Sequence, residues 1–461
     1  MGKRKLLVMG LDSAPPELVF EEFRDELPNL RHLMDNGVYA RMRSCDPPIT
    51  IPAWMVMVTG KNPGKLGLYG FRHRKGYSYT DGWIANSLSV KEEKIWDILS
   101  MAGMKVCVLG VPPSYPPTPV NGELISCFIT PDSNRQYTHP PELKQEIEAL
   151  VGPYPFDVEF RTDQRDELLK NLYDMTEKHF RVIEHLLTTR HWDFFMFVDI
   201  GLDRVHHAFW KYFDKGHPKH VQGNPYENVI IDYYRWLDEH VGRLLKAVDE
   251  DTIVVVVSDH GVKGMRGAFC INQWLIREGY LVLKEKPQSV IDLDKAAVDW
   301  SQTKAWAWGG YYARVFFNVK GREPDGIIEA TDLDHERDQL TKRLNEISDP
   351  SGRRMETKVY KPEALYPVSV GDRPDLMVYF DDLFWRSAGT LGHTEMYLSE
   401  NDTGPDDAVH SEYGVFVLHD KRLRTTGQIQ DVSILDVAPT LLQEMNLAVP
   451  PSMEGKPIQL S

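Results

Sequence analysis

The chain has 461 residues, 42% of them apolar and 11% aromatic, enough for a large core and by length roughly two to three domains, or one domain with insertions. Its net charge of −15, with no Lys/Arg-rich run, argues against a nucleic-acid scaffold, although an acidic enzyme still binds anions where metals supply local positive charge. The four cysteines, Cys45, Cys107, Cys127 and Cys270, form no CxxC pair, so reduced thiols in a cytoplasmic protein are expected rather than a disulfide framework.

Residues 1–12 begin basic and continue into a short apolar run. The run is too short for a signal peptide and lacks a small-residue cleavage site, so residues 5–10 read as a first strand closing on Leu11-Asp12-Ser13. No stretch reaches membrane-spanning length, and neither an internal repeat nor a low-complexity tract is present. Residues 30–34 fall in a helical segment. Residues 50–60 read as a capped helix, with Thr50 as N-cap, Pro52 in the first turn and Gly60 at the C-terminal cap. A helical pattern at 92–102 precedes a buried strand at 105–110, and the Pro-rich stretch 111–120 is irregular.

Residues 140–150 and 164–188 carry helical periodicity, and 192–199 form a third buried strand. A long amphipathic helix spans 226–248. It leads to a run of four valines, Val254 to Val257, followed by Ser258-Asp259-His260-Gly261. Residues 269–367 change character, with strand-like 280–283 and 313–319 among scattered helices; they are expected to continue the sheet edge and add an inserted cap-like region within a single domain spanning 1–461. Strand character returns at 376–380 and 414–418, and a final helix is expected over 431–445, starting near Val432-Ser433. Such alternation of short apolar strands with helices indicates an α/β fold with a mostly parallel sheet covered on both faces.

Asp12, Asp203 and Asp259 each follow a predicted buried strand. One such Asp is commonly a helix cap, but three on neighbouring parallel strands would converge at one sheet edge and suit a metal cluster. Asp259 and His260 together offer a hard oxygen and a borderline nitrogen to one divalent ion, against the alternative of a capped turn. Asp203 and His207, four apart, would face the same way on a helix; His206 is the competitor, and a core or solvated histidine is the alternative. Capping alone accounts for Thr50, yet a hydroxyl at a helix start is also where an alkoxide is stabilised, and a bound metal would make it a nucleophile. His410 precedes a late strand and has His393 as a rival, in a chain with 16 histidines.

Together and in order these pieces resemble the alkaline phosphatase superfamily, and within it the type I phosphodiesterase/nucleotide pyrophosphatase family. The resemblance rests on Gly10-Leu11-Asp12, Pro47 to Trp54 with Thr59-Gly60-Lys61-Asn62-Pro63, Asp203-x-x-x-His207, Ser258 to Gly261, His410 before Gly414, and Asp436 to Leu442 followed by Met453-Glu454-Gly455. It implies a three-layer αβα sandwich and two divalent metal ions, zinc by family habit with manganese also suited. One ion would be held by Asp12, Thr50, Asp259 and His260, the other by Asp203, His207 and His410. Thr50 would be the nucleophile of a phosphodiesterase that passes through a phospho-threonine intermediate on a small-molecule phosphoester. A phosphomonoesterase, a phosphonate-type esterase, a phosphomutase and a non-catalytic metal-binding relative are the alternatives.

Nucleotide-hydrolysing relatives carry an Asn about twenty residues after the nucleophile. The segment Leu68-Tyr69-Gly70-Phe71-Arg72-His73 has none, and Arg72 and His73 are the candidate substrate contacts in its place. Cys45-Asp46-Pro47-Pro48-Ile49 lacks the Arg of a sulfatase maturation motif. Thr50 and the modest segment after it disfavour a phosphoglycerate mutase, which would carry a Ser and a large insertion. Trp306, Trp308, Tyr311 and Tyr312 either line a pocket for an apolar leaving group or belong to a core.

Overall fold

Every residue of the first strand is buried, as a strand covered on both faces requires. The computed structural model describes residues 4–460, so the start of the 1–12 segment lies outside the described residues. The main sheet has ten strands: β1 (Leu6–Leu11), β2 (Val38–Arg43), β3 (Val106–Leu109), β4 (Gly122–Ile125), β5 (Thr138–His139), β6 (Phe194–Asp199), β7 (Ile253–Val257), β8 (Tyr413–His419), β9 (Gly427–Gln428) and β10 (Val432–Ser433). Their order is β9-β2-β8-β7-β1-β6-β3-β4-β5, and β10 also pairs with β2. The centre, from β7 through β1, β6 and β3 to β4, is parallel. β8 lies antiparallel between β7 and β2.

Period-two alternation sends side chains of β1 to opposite faces. Leu7, Met9 and Leu11 share a core with α1 (Pro28–Asp35), α3 (Arg165–Thr189), α4 (Gly201–Phe213) and α5 (Val229–Ala247). Leu6 and Val8 share the other with α2 (Thr50–Thr59) and α6 (Val437–Glu444). The result is the expected αβα sandwich, and the predicted helices and buried strands appear within a few residues of their expected bounds. All four cysteines are free and buried.

Three features depart from expectation. β2 has no counterpart in the sequence reading, because Tyr39, Arg41 and Arg43 occupy its half-buried positions and blur the apolar signal. The final helix starts later: Val432–Ser433 is a strand and Ile434–Asp436 a 3-10 turn before α6. The region from 267 to 398 adds no strand to the main sheet, contrary to the expected continued edge. Ala305–Trp308, Ala313–Phe317, Leu376–Tyr379 and Lys358–Tyr360 instead build a separate four-stranded antiparallel sheet, with Trp306, Val315 and Phe317 in its core. Residues 280–283 form no strand, only a single bridge from Leu283 to Val298, after the chain turns at Gly279 (φ 78°).

Candidate active site

Since β7, β1 and β6 are parallel neighbours, their C-terminal ends open at one edge of the sheet, where α/β folds bind ligands. Asp12 follows β1 and Asp259-His260 follows β7; Asp203 and His207 stand one turn apart on α4, which begins just after β6. His410 comes from the strand Ala408–Ser411, which pairs with Gly261–Gly264 and so lies beside His260. The two imidazoles stack at 3.7 Å between centroids.

Thr50 is not the N-cap. Ile49 holds that position with no side-chain capping bond, and Thr50 is the first helical residue of α2. Its hydroxyl is thereby left for another partner, and Oγ1 lies 3.3 Å from His260 Nε2. Gly60 closes the helix in the left-handed conformation (φ 63°), as expected.

The three carboxylates share one design: each has one oxygen tied to the protein and the other turned inward. Asp12 Oδ2 accepts from Trp54 Nε1 at 2.8 Å, Asp203 Oδ2 from Arg204 Nη1 at 2.6 Å, and Asp259 Oδ1 from the Ser13 amide at 3.3 Å. Asp12 Oδ1, Asp203 Oδ1 and Asp259 Oδ2 are buried with no hydrogen-bond partner among the described residues. The imidazoles repeat the design. Their Nδ1 atoms face acceptors: His207 to Asp406 Oδ1 at 2.7 Å, His260 to the Gly261 carbonyl at 3.0 Å, and His410 to the Pro48 carbonyl at 2.8 Å. An Nδ1–H donated there leaves each Nε2 lone pair free, the arrangement of metal-bound histidine.

The free atoms form two groups. His260 Nε2 lies 3.8 Å from Asp12 Oδ1, 3.2 Å from Asp259 Oδ2 and 3.3 Å from Thr50 Oγ1. His207 Nε2 lies 3.4 Å from Asp203 Oδ1 and 3.3 Å from His410 Nε2, and His410 Nε2 is 3.7 Å from Asp203 Oδ1. His260 also stands close enough to Asp203 and His410 to share an ion with them, so it sits between the groups. The seven candidates are therefore brought together at one sheet edge, with His260 common to the two groups of possible ligands, Asp12, Asp259 and His260 and Asp203, His260 and His410.

Electrostatics agree with a centre short of positive charge. Burial, and then the Asp203 charge, push the Asp12 carboxyl well above its usual range; burial and then Asp12 do the same to Asp259. Asp203 is itself buried, but His207 holds it well below the usual range. Burial draws His260 down to about 4, and burial with His260 alongside draws His410 well down. Three carboxylate oxygens with no hydrogen-bond partner among the described residues, beside three inward-turned imidazole nitrogens, are a donor set that suits divalent cations.

The competitors are placed elsewhere. His206 turns to Ser13 Oγ at 3.3 Å and packs against Tyr234 and Trp210. His393 bonds Thr390 Oγ1 at 2.7 Å, outside the centre. His73 is committed within its loop: its Nε2 accepts the Tyr69 amide at 2.8 Å, its ring stacks on Trp83 at 4.3 Å, and burial draws its pKa down to about 3. Arg72 lines a cavity of about 480 Å³ that also receives Ile49, Phe71 and Tyr311. The aromatic quartet divides. Trp306 is in the small sheet's core and Tyr312 is buried, its hydroxyl donating to the Tyr69 carbonyl at 2.6 Å. Trp308 lines the adjoining pocket, while Tyr311 stacks on His410 at 3.8 Å and sets its hydroxyl 3.2 Å from His207 Nε2.

Asp406 has no counterpart among the sequence candidates, whereas Trp54 enters there only within the Pro47 to Trp54 motif and Tyr311 only as a pocket wall or core residue. Asp406 joins His207 to Arg386 at 2.7 Å and Arg161 at 3.2 Å. Although burial pushes its carboxyl up, His207 and Arg386 hold it far below the usual range. An acid adjacent to Asp407 and four residues before His410 carries no local pattern that marks it.

Residues 6–406 match the family described as type I phosphodiesterase/nucleotide pyrophosphatase. No curated protein sequence matches the chain. Among solved structures, murine ectonucleotide pyrophosphatase/phosphodiesterase 5 superposes with a TM-score of 0.56 at 14% identity over 97% of this chain and 96% of that one, both alone and as an inactive threonine-to-alanine variant in complex with AMP. The human protein of the same name superposes at 0.57 with 12% identity, over 98% of this chain and 97% of that one.

Proposed function

From its membership of the type I phosphodiesterase/nucleotide pyrophosphatase family, whose members hydrolyse phosphoester bonds, we propose that this chain is a phosphodiesterase that uses two metal ions and forms a phospho-threonine intermediate on Thr50. The observation that carries this reading is the unspent Thr50 hydroxyl, 3.3 Å from His260 Nε2 and beside the partnerless carboxylate oxygens. Divalent cations, held by Asp12, Thr50, Asp259 and His260 and by Asp203, His207 and His410, would lower the pKa of that hydroxyl and offset the charge of the phosphoryl oxygens.

The chain's own groups supply position and polarity. The first turn of α2 leaves the Thr50 and Ile51 amides without intrahelical acceptors, and Pro52 has none to offer, so two N–H donors stand at the helix start for phosphoryl oxygens. Thr50 Oγ1, having lost its proton, bonds to phosphorus as the ester oxygen on the far side leaves and takes up a proton. Water then displaces Thr50, whose oxygen is reprotonated, and the phosphomonoester departs. Asp406, Pro48 and Gly261 hold three imidazoles in orientation throughout. The inactive threonine variant of the murine neighbour, bound to AMP, is in keeping with a threonine nucleophile in this fold.

The test replaces the nucleophile. Thr50→Ala is expected to lower turnover of bis(4-nitrophenyl) phosphate by on the order of 10³-fold or more with its melting temperature retained, and Thr50→Ser to keep measurable activity. Hydrolysis undiminished in Thr50→Ala would overturn the mechanism. A wild-type preference for 4-nitrophenyl phosphate or phosphoglycerate over the diester would overturn the diesterase assignment.

A further inference from the structure

The cavity of about 480 Å³ opens on the catalytic edge, since Ile49 precedes Thr50 and Tyr311 touches both His207 and His410. Its lining is basic in a chain of net charge −15, with Arg72, Arg161, Arg204, Arg314 and Arg386 against one carboxylate, Asp157. Three of these guanidiniums are paired with carboxylates. Arg204 is paired with Asp157 at 2.7 Å and Asp203 at 2.6 Å, and Arg161 and Arg386 share Asp406.

Arg72 and Arg314 differ. Among the described residues neither has a carboxylate partner: Arg314 donates to the Arg72 carbonyl, a neutral acceptor, and both guanidiniums lie over the Trp308 ring, at 5.4 and 5.5 Å. Arg72 is exposed and Arg314 half-buried, and both line this cavity and the adjoining one of about 270 Å³. Burial, with Arg72 alongside, lowers the Arg314 pKa, so the two like charges act on each other, and an anion within reach of both would relieve that repulsion while gaining charge-assisted hydrogen bonds.

We propose that Arg72 and Arg314 form a second anion site, and that the substrate is a phosphodiester or pyrophosphate one of whose arms carries a further negative group, a phosphate or a carboxylate. This rests on the phosphodiesterase reading for the first phosphoryl group. Aromatic walls from Phe71, Phe160 and Tyr311 cover the body of that arm, and the arginine pair fixes its charged end. Diesters with neutral or cationic arms are disfavoured.

Nitro and carboxylate groups are near-isosteric and differ by one charge, so bis(4-nitrophenyl) phosphate and 4-carboxyphenyl 4-nitrophenyl phosphate make a matched pair. Calorimetric titration of full-length, metal-loaded Thr50→Ala protein measures binding without turnover. The carboxylate ester is expected to bind about tenfold more tightly at low salt, a difference of about 1.4 kcal/mol. Arg314→Gln or Arg72→Gln, added separately to the Thr50→Ala protein, is expected to erase most of that difference. Equal binding of the two esters, or a preference surviving both substitutions, overturns the proposal. Wild-type turnover reports on the underlying reading separately: a charge preference in binding without any hydrolysis refutes the phosphodiesterase and leaves the arginine site standing.

Discussion

The geometry makes Asp406 the residue that orients His207, by an Nδ1 contact of 2.7 Å in a fully buried setting. Asp406→Asn keeps the shape and removes the charge. Metal affinity, read by chelator competition, is expected to fall about 10- to 100-fold, with a parallel loss of kcat/KM. A purely structural role would lower the melting temperature and leave metal affinity unchanged, and that outcome would remove the positioning role. Asp259-His260 at a strand end and Asp203 and His207 one helical turn apart were readable as candidates from short local patterns, which a turn cap or a core histidine fitted as well until the ordered resemblance joined them. Asp406 was not readable, because its partner is 199 positions away and only the folded chain puts them together. Thr50 was half-legible. Its helix was foreseen, but the register by which Ile49 takes the cap and frees the hydroxyl depends on backbone angles that a Ser/Thr propensity does not encode.

Among the elements, the contact between β1 and α2 sets the position of the first carboxylate. A Cβ added at Gly10 would lie 2.6 Å from Trp54 Cη2, 2.8 Å from Val198 Cγ2 and 2.9 Å from the Phe197 carbonyl. Trp54 is the donor to Asp12 at 2.8 Å, so the glycine is what lets strand and helix approach closely enough for that bond. Gly10→Ala is expected to destabilise the fold by about 1–3 kcal/mol and to weaken metal retention, because the indole is displaced. Urea unfolding together with metal analysis of the dialysed protein checks both, and a variant matching wild type in both would show that the interface relaxes around the methyl. Buried strands and amphipathic helices were readable from period alone, since burial on both faces leaves unbroken apolar runs. The strands of the inserted region were misassigned to the main sheet because a strand's local pattern does not state which sheet it joins.

At the scale of the molecule, the centre gathers groups from residues 12 to 410 and leaves three inward carboxylate oxygens without hydrogen-bond partners among the described residues. Cations that bind there would bind the folded chain alone, so they would stabilise it by mass action, about 4 kcal/mol at 1,000 times Kd. Chelation is expected to lower the melting temperature by on the order of 5 °C and abolish activity, both restored by zinc or manganese. A chelated protein that melts at the same temperature and gains nothing from either ion would dismiss the metal centre.

The placement of β8 bears on synthesis as well as on architecture. It is antiparallel between β7 and β2, which have no other strand between them, and it follows the strand bearing His410 by one residue. A nascent chain at residue 400 therefore has Asp12, Thr50, Asp203 and Asp259 already made, but its sheet is still split in two and its second ligand set lacks a member. Such long-range closure is slow compared with local helix formation. The same short stretch of translation, residues 408–419, delivers the last imidazole and then the strand that closes the sheet, so the centre and the sheet are completed together late in synthesis.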